Sequence, residues 1–263
     1  MRGEDTWEEA KGLSIFMQEK LTGVNSVMEA LKGRRKIDKI YMLENRQGKR
    51  MEEMIYLAQK KGVYVQYVDK LRLDRMSPGI NHQGVIALVE SYNYAQLEEA
   101  LQLARDRRED PFILILDGLE DPQNLGSIIR TAECAGVHGI VIPRHGSAAV
   151  SDGVVRASAG AVEHVLLVQE TNLVNTIKNL KNMGLWVAGA DMAAEKDYFS
   201  MPFPAPLALV IGSEGKGIRR LVKENCDIMV KIPMRGKLNS LNASVAAALL
   251  LYEILRQKKQ NGD

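Results

Sequence analysis

Three short stretches hold the residue types that could carry chemistry. DGLEDPQNLGSIIR (117–130) runs from a strand-like segment through an acidic, Gly/Pro-containing turn into a helix expected to begin near Asn124. Arg130 lies six residues on, more than one and a half turns into that helix. IGSEGKG (211–217) crowds three glycines and Glu214 into a strand-to-helix turn, where glycine permits close backbone approach to a ligand or simply a positive φ. IPMRGKLNSLNAS (232–244) is a long polar loop feeding an apolar helix, whose free N–H groups could hold a carboxylate or phosphate. Each stretch also has a plain structural explanation. Asn124 could cap a helix that carries a surface Arg130, Glu214 could be an ordinary acid at a helix start, and Ser240 and Asn242 could be caps. Neither the GxxxxGK[ST] loop nor a GxGxxG turn after the first strand occurs, so a P-loop NTPase and a standard dinucleotide-binding fold are unsupported.

The elements that must position these stretches follow from periodicity. From Pro111 onward FILILDGL, GIVIPR, HVLLVQ, LWVAGAD, LALVIGSE and DIMVKIPM are short, nearly continuous apolar runs. Strands apolar on both faces belong to a parallel sheet covered by helices. The C-terminal part therefore reads as α/β with roughly six strands, its sites at the strand C-terminal ends. SLNASVAAALLLYEILRQKK closes it as a strong helix with basic residues in its last turns. The N-terminal third reads as a smaller α/β unit. Helical GVNSVMEALKG has Asn25 or Ser26 as candidate caps and Gly33 at its stop. KIDKIYMLEN, VYVQYVD and GVIALVES have strand character, and RMEEMIYLAQKKG is an amphipathic helix. The expected organisation is an N-terminal extension over 1–19, a small domain over 20–92, a linker over 93–108 whose opening is polar and whose centre is helical, and a larger domain over 109–263.

Composition narrows the function classes. The 263 residues are 46% hydrophobic and 26% charged, with 35 Lys+Arg against 33 Asp+Glu, too apolar and too balanced for a disordered chain. Two cysteines are too few for a disulfide scaffold or a structural zinc site. No apolar run reaches the roughly 20 residues of a membrane span, and the acidic, polar start is unlike a signal peptide, so a cytoplasmic protein is expected. His82, His138, His145 and His164 have no metal-ligand spacing, so no metal is expected. His138 and His164 read as structural, and Cys134 as core. His145, Arg144 and Arg156 are candidates for meeting a polyanion. Residues 32–75 hold 13 Lys/Arg and 6 Asp/Glu, a local +7, which suggests nucleic acid as a partner or a solvated charged face.

Taken in this order, the three stretches resemble the signature motifs of the SpoU (TrmH) family of RNA ribose 2′-O-methyltransferases. The match lies in Asn124 with Arg130, Gly212-x-Glu214-Gly215-x-Gly217, and Ile232-Pro233-Met234 with Ser240-Leu241-Asn242. Gly23…Val27-x-Glu29-Ala30-Leu31 and His82-Gln83-Gly84 resemble that family's substrate-binding module. The arrangement is most similar to the branch that methylates a guanosine of bacterial 23S rRNA. The resemblance implies a C-terminal α/β trefoil-knot (SPOUT-type) domain that binds S-adenosylmethionine, a small N-terminal RNA-binding domain, and a homodimer with its active site near the subunit interface. It implies catalytic roles for Arg130, Asn124, Glu214 and Asn242. It places cofactor contacts at Gly212, Ile232, Leu241, Gly189, Ala190 and Ser240. The alternatives are the same chemistry on tRNA or another rRNA nucleotide, and an RNA-binding ribosome-assembly factor without transferase activity.

Overall fold

A computed structural model describes residues 18–261 of the chain, so the expected N-terminal extension lies, through residue 17, outside the described residues. The chain divides after Asn93 into two compact units.

Among the described residues, the N-terminal unit is a four-stranded sheet with three helices. Its elements are β1 (Gln18–Thr22), α1 (Val24–Lys32), β2 (Ile37–Leu43), α2 (Lys49–Lys60), β3 (Tyr64–Val68), α3 (Lys70–Met76) and β4 (Val85–Glu90). The strand order is β1-β4-β2-β3; β4 runs antiparallel to both neighbours, while β2 and β3 are parallel. The sequence pattern missed β1 and α3, which are five and seven residues long, too short to show a clear period. Helix α1 buries Val24, Val27, Met28 and Leu31, the i, i+3, i+4, i+7 spacing of one helical face. Its start corrects the expected caps. Gly23 is the N-cap, and the side chain that satisfies a first-turn donor comes from across the unit, where Gln83 Oε1 accepts the Val24 N–H at 3.3 Å.

The C-terminal unit continues with α4 (Leu97–Arg107), β5 (Phe112–Asp117), α5 (Pro122–Cys134), β6 (Gly139–Pro143), α6 (Asp152–Ala157), β7 (Leu166–Glu170), α7 (Leu173–Asn182) and β8 (Trp186–Ala190). After these come β9 (Lys196–Asp197), β10 (Leu207–Gly212), α8 (Arg220–Glu224), β11 (Ile228–Lys231) and α9 (Ala243–Asn261). Every pairing in the seven-stranded sheet, ordered β7-β6-β5-β10-β8-β11-β9, is parallel. The expected strands are all present, with the two-residue β9 added at the edge. Burial explains their continuous apolar character: Ile113 to Leu116 are fully buried, each such side chain contributing roughly 1.5–3 kcal/mol.

The helical centre of the linker stretch is α4, and it packs as part of the C-terminal unit. Leu97, Ala100, Leu101 and Ala104 are buried at helical spacing, and the first three join the core of the C-terminal unit. Helix α5 begins two residues before Asn124, with Pro122 in its first turn and Asp121 accepting the N–H groups of Gln123 and Asn124. His138 is structural, as expected: buried between strands, its Nδ1 accepts the Phe112 N–H at 3.0 Å and its Nε2 donates to Glu109. Burial, partly opposed by Glu109, lowers its pKa, so the ring stays neutral. Cys134 is exposed rather than in the core, because the buried face of α5 runs through Leu125, Ile128, Ile129 and Ala132 and the last turn of the helix points it outward.

Candidate active site

Strands β10, β8 and β11 are neighbours, and the segments leaving their C-terminal ends enclose a cleft of about 380 Å³. Ala190 and Asp191 come from the end of β8, residues 211–217 from β10, and Ile232, Met234, Asn239, Ser240 and Leu241 from the loop after β11. Ala243 and Ala246 of α9 close it. This is where an open parallel sheet places a ligand.

The loop after β10 is shaped by glycine backbone. A Cβ on Gly212 would lie 2.1 Å from the Gly217 carbonyl carbon and 2.3 Å from the Ile218 nitrogen, so only glycine lets the loop fold back on its own strand. The loop closes by paired bonds: Ser213 N–H donates to Gly217 C=O at 3.2 Å, and Gly217 N–H to Ser213 C=O at 2.9 Å. Its far end is anchored by Asp117, at the end of β5 and in register with Gly212. The buried Asp117 carboxylate accepts Arg219 N–H at 2.8 Å and Arg219 Nε–H at 2.6 Å. Asp117, the first residue of the DGLEDPQNLGSIIR stretch, is a structural anchor of the site. Its signal was a charged residue ending an otherwise apolar strand.

Asn242 joins the three motif stretches. Its Nδ2 donates to Asn124 Oδ1 at 2.8 Å and to Glu214 Oε2 at 3.4 Å. Its Oδ1 accepts the Ser244 N–H at 2.9 Å, which is the capping bond of α9. Capping and bridging are thus one side chain's work. Residues separated by 118 and 28 positions in the chain meet here.

Arg130 is not brought into this group. Six residues of α-helix carry it about 9 Å along α5 and about 240° around it from Asn124. It is exposed and makes no hydrogen bond or ion pair among the described residues. Of the expected cofactor contacts, Gly212, Ile232, Leu241, Ala190 and Ser240 line the cleft, whereas Gly189 does not. Gly189 is buried within β8, where a Cβ would press on Met229 Sδ, Cys226 Sγ and Ile218 Cδ1, so it serves packing. Met234 of the third motif lines the cleft as well, as do Asp191 and Asn239, to which the resemblance assigns no contact. Burial tends to raise the Asp191 carboxyl, but Lys223 and the Ala193 N–H outweigh it and hold the pKa below the usual value. Burial, aided by the charge of Asp227, pushes the Cys226 thiol up to about 12, which removes it as a thiolate nucleophile. Among the described residues, no group of three or more His, Cys, Asp or Glu is placed to hold a metal ion, and no helix is long and apolar enough to cross a membrane.

Residues 111–252 match the model of the SpoU rRNA Methylase family, and residues 20–95 match that for RNA 2′-O ribose methyltransferase substrate binding. The chain belongs to the SpoU rRNA methylase family. The Bacillus subtilis (strain 168) protein YacO, named for the TrmH family of tRNA/rRNA methyltransferases, is 49% identical over 241 residues, 92% of this chain and 96% of that one. The AdoMet-bound rRNA methyltransferase from Sinorhizobium meliloti superposes with a TM-score of 0.75 at 25% identity, covering 91% of this chain and 87% of that one. The A. aeolicus TrmH/SpoU tRNA modifying enzyme superposes with a TM-score of 0.54 at 26% identity, covering 63% of this chain and 87% of that one. The protein is thus an S-adenosylmethionine-dependent RNA ribose 2′-O-methyltransferase whose C-terminal unit has the SPOUT-type, trefoil-knot α/β fold and whose N-terminal unit is the substrate-binding domain.

The cleft fits that cofactor. Ile211, Ile232, Met234, Leu241 and Ala246 offer apolar surface to adenine and the methionine chain, and Asp191, Asn239 and Ser240 offer polar groups at the rim. The Gly212 turn brings backbone rather than side chain to the wall.

Proposed function

We propose that the protein methylates the ribose 2′-hydroxyl of a guanosine in bacterial 23S rRNA, acting in the cytoplasm as a homodimer. The observation that carries the rRNA reading is the extent of likeness. The solved rRNA methyltransferase aligns over both units, while the tRNA-modifying enzyme aligns over less than two thirds of the chain. The N-terminal unit, which matches the substrate-binding model, is the natural place for substrate choice.

S-adenosylmethionine supplies an activated methyl group, so the chain's own residues need to orient the acceptor oxygen and manage its proton. Gly212, Ile232, Leu241, Ala190 and Ser240 would hold the cofactor, mostly through backbone and apolar surface. Asn242, fixed by Asn124 and Glu214, would orient the ribose or the cofactor at the cleft mouth. A guanidinium is not a general base in proteins, so the role of Arg130 is to hold the neighbouring phosphate and stabilise the oxyanion that develops on the 2′-oxygen. Its unpaired guanidinium suits a group reserved for substrate.

The homodimer reading has its own support. Val245, Leu249 and Tyr252 of α9 are exposed by 48%, 37% and 50% and recur at i, i+4 and i+7, an apolar stripe suited to a second copy of the chain. Light scattering on the unsubstituted chain and on Leu249→Asp checks it: dimer against monomer is expected, and a monomeric unsubstituted chain overturns it.

The reaction itself is tested by incubating the chain with labelled S-adenosylmethionine and either 23S rRNA transcribed in vitro or bulk tRNA, then mapping the labelled nucleoside. A single 2′-O-methylguanosine in 23S rRNA is expected. Label on tRNA alone overturns the rRNA assignment and keeps the chemistry.

A further inference from the structure

The N-terminal unit carries a net positive charge over 32–75, but several of its cations are already committed. Arg35 is buried, pairs with Glu19 at 3.3 Å and stacks on Tyr92; Lys32 pairs with Glu29 and Glu53, and Lys36 with Glu90 at 2.7 Å. One arginine in this unit is held differently. Arg46, half-buried, lines a cavity of about 240 Å³ together with Arg50, Gln83, Val24 and Met51. Among the described residues, no acidic side chain lines that cavity. The Arg46 guanidinium makes no hydrogen bond or ion pair among the described residues.

Its position is nevertheless built. The guanidinium lies against Gly84, where a Cβ would stand 2.4 Å from Nη1 and 3.0 Å from Cδ. Gly84 also has φ +72°, so glycine there serves both the turn and the room for arginine. His82 holds this turn: its Nδ1 accepts the Gly84 N–H at 2.9 Å, and its Nε2 lies 3.0 Å from Asp74. Arg50 is steadied across the cavity by donating to Asn25 Oδ1 at 2.7 Å. A guanidinium placed by packing, left without a counter-ion and accompanied by a second one, matches the bidentate geometry of a phosphate.

We propose that this cavity is an RNA phosphate subsite, in which Arg46 grips a backbone phosphodiester of the substrate with Arg50 beside it. The inference rests on the RNA methyltransferase activity given above and adds where the N-terminal unit takes hold. Phosphate contacts position an RNA without reading its sequence, so the subsite supplies affinity and register.

The test is anisotropy of labelled bacterial rRNA with the full chain, titrated at several salt concentrations, alongside calorimetric binding of S-adenosylmethionine. Arg46→Gln is expected to weaken RNA binding several-fold and to lower the slope of log affinity against log salt by about one, while S-adenosylmethionine affinity stays unchanged. Arg46→Lys is expected to keep most of the salt slope and lose part of the affinity, since lysine retains the charge but not the fork. Gly84→Ala is expected to resemble Arg46→Gln by displacing the guanidinium. Thermal unfolding reports whether each variant folds; if Arg46→Gln does not, Arg46→Lys and Arg50→Gln carry the comparison. Equal affinity and slope in all variants overturn the subsite alone. Absence of RNA binding by the unsubstituted chain, with S-adenosylmethionine still bound, overturns the RNA reading and the subsite with it.

Discussion

The cleft of the C-terminal unit and the cavity of the N-terminal unit are built by opposite means. The cleft owes its shape to backbone: a glycine turn closed on itself, an anchor from buried Asp117 to Arg219, and an asparagine at the start of α9 bridging α5 and the loop after β10. The cavity owes its character to long cationic side chains resting on a glycine turn. A backbone-built site tolerates varied side chains but little change of geometry, which suits one invariant small cofactor. A site of unpaired guanidinium groups tolerates modest movement and depends on charge, which suits a polyanion of varied shape. Arginine itself marks the division of labour. Arg35 and Arg219 are spent on internal carboxylates, whereas Arg46 and Arg130 are left for something outside the chain.

That contrast can be broken or sharpened by substitution. The largest effect is expected for Arg130→Ala: methyl transfer should fall by about 10²–10³-fold, the cost of removing one charge-stabilising donor, while S-adenosylmethionine affinity is unchanged. Single-turnover transfer measured with cofactor calorimetry checks this, and unchanged turnover would remove Arg130 from the chemistry. Next comes Gly212→Ala, which forces a methyl group against the Gly217 and Ile218 backbone. It should cost about 1–3 kcal/mol of stability in denaturant unfolding and abolish measurable cofactor binding; full cofactor affinity would mean that the wall is not backbone-built. Asn242→Ala is expected to cost about 1 kcal/mol through the lost α9 cap. It should also weaken cofactor binding or slow transfer, because Asn124 and Glu214 lose their common partner. Stability loss with an unchanged enzymatic profile would leave capping as its only role.

The smallest effect is a pH dependence at a residue that does not line the cleft. His138 has a folded pKa lowered from 6.5 by burial, so the unfolded chain takes up the proton first as pH falls. Stability should therefore decline as pH drops below about 6.5, through the folded pKa, and be fully present above it. Urea midpoints between pH 8 and pH 5.5 should show this decline, and it should be shallower in His138→Gln.

Much of this was legible in the residues. Continuous apolar runs announced a parallel sheet, and the three motif stretches, read as a set, announced the family. The reading failed where periodicity carried little information. Strand β1 and helix α3 are too short for a pattern, and the helical centre of the 93–108 stretch carries no local sign that Leu97, Ala100 and Leu101 turn into the core of the C-terminal unit. Cys134 looked apolar in its neighbourhood but falls on the outer side of α5. The basic cluster at Lys32–Lys36 looked available for RNA, yet Lys32, Arg35 and Lys36 pair with acids that are distant in sequence or on other elements.

By itself, then, the sequence determined the fold class, the family and the positions of the three loops, because strand periodicity and glycine or cap residues act locally. Only tertiary structure decided that Asn124, Glu214 and Asn242 meet while Arg130 stands apart, that Gly189 lies outside the cleft lining, and that Arg46 has no partner among the described residues. Those outcomes depend on which strands become neighbours and which charges find partners. Contacts across 28 to 118 residues of chain are set by sheet order and burial, and no local pattern encodes them.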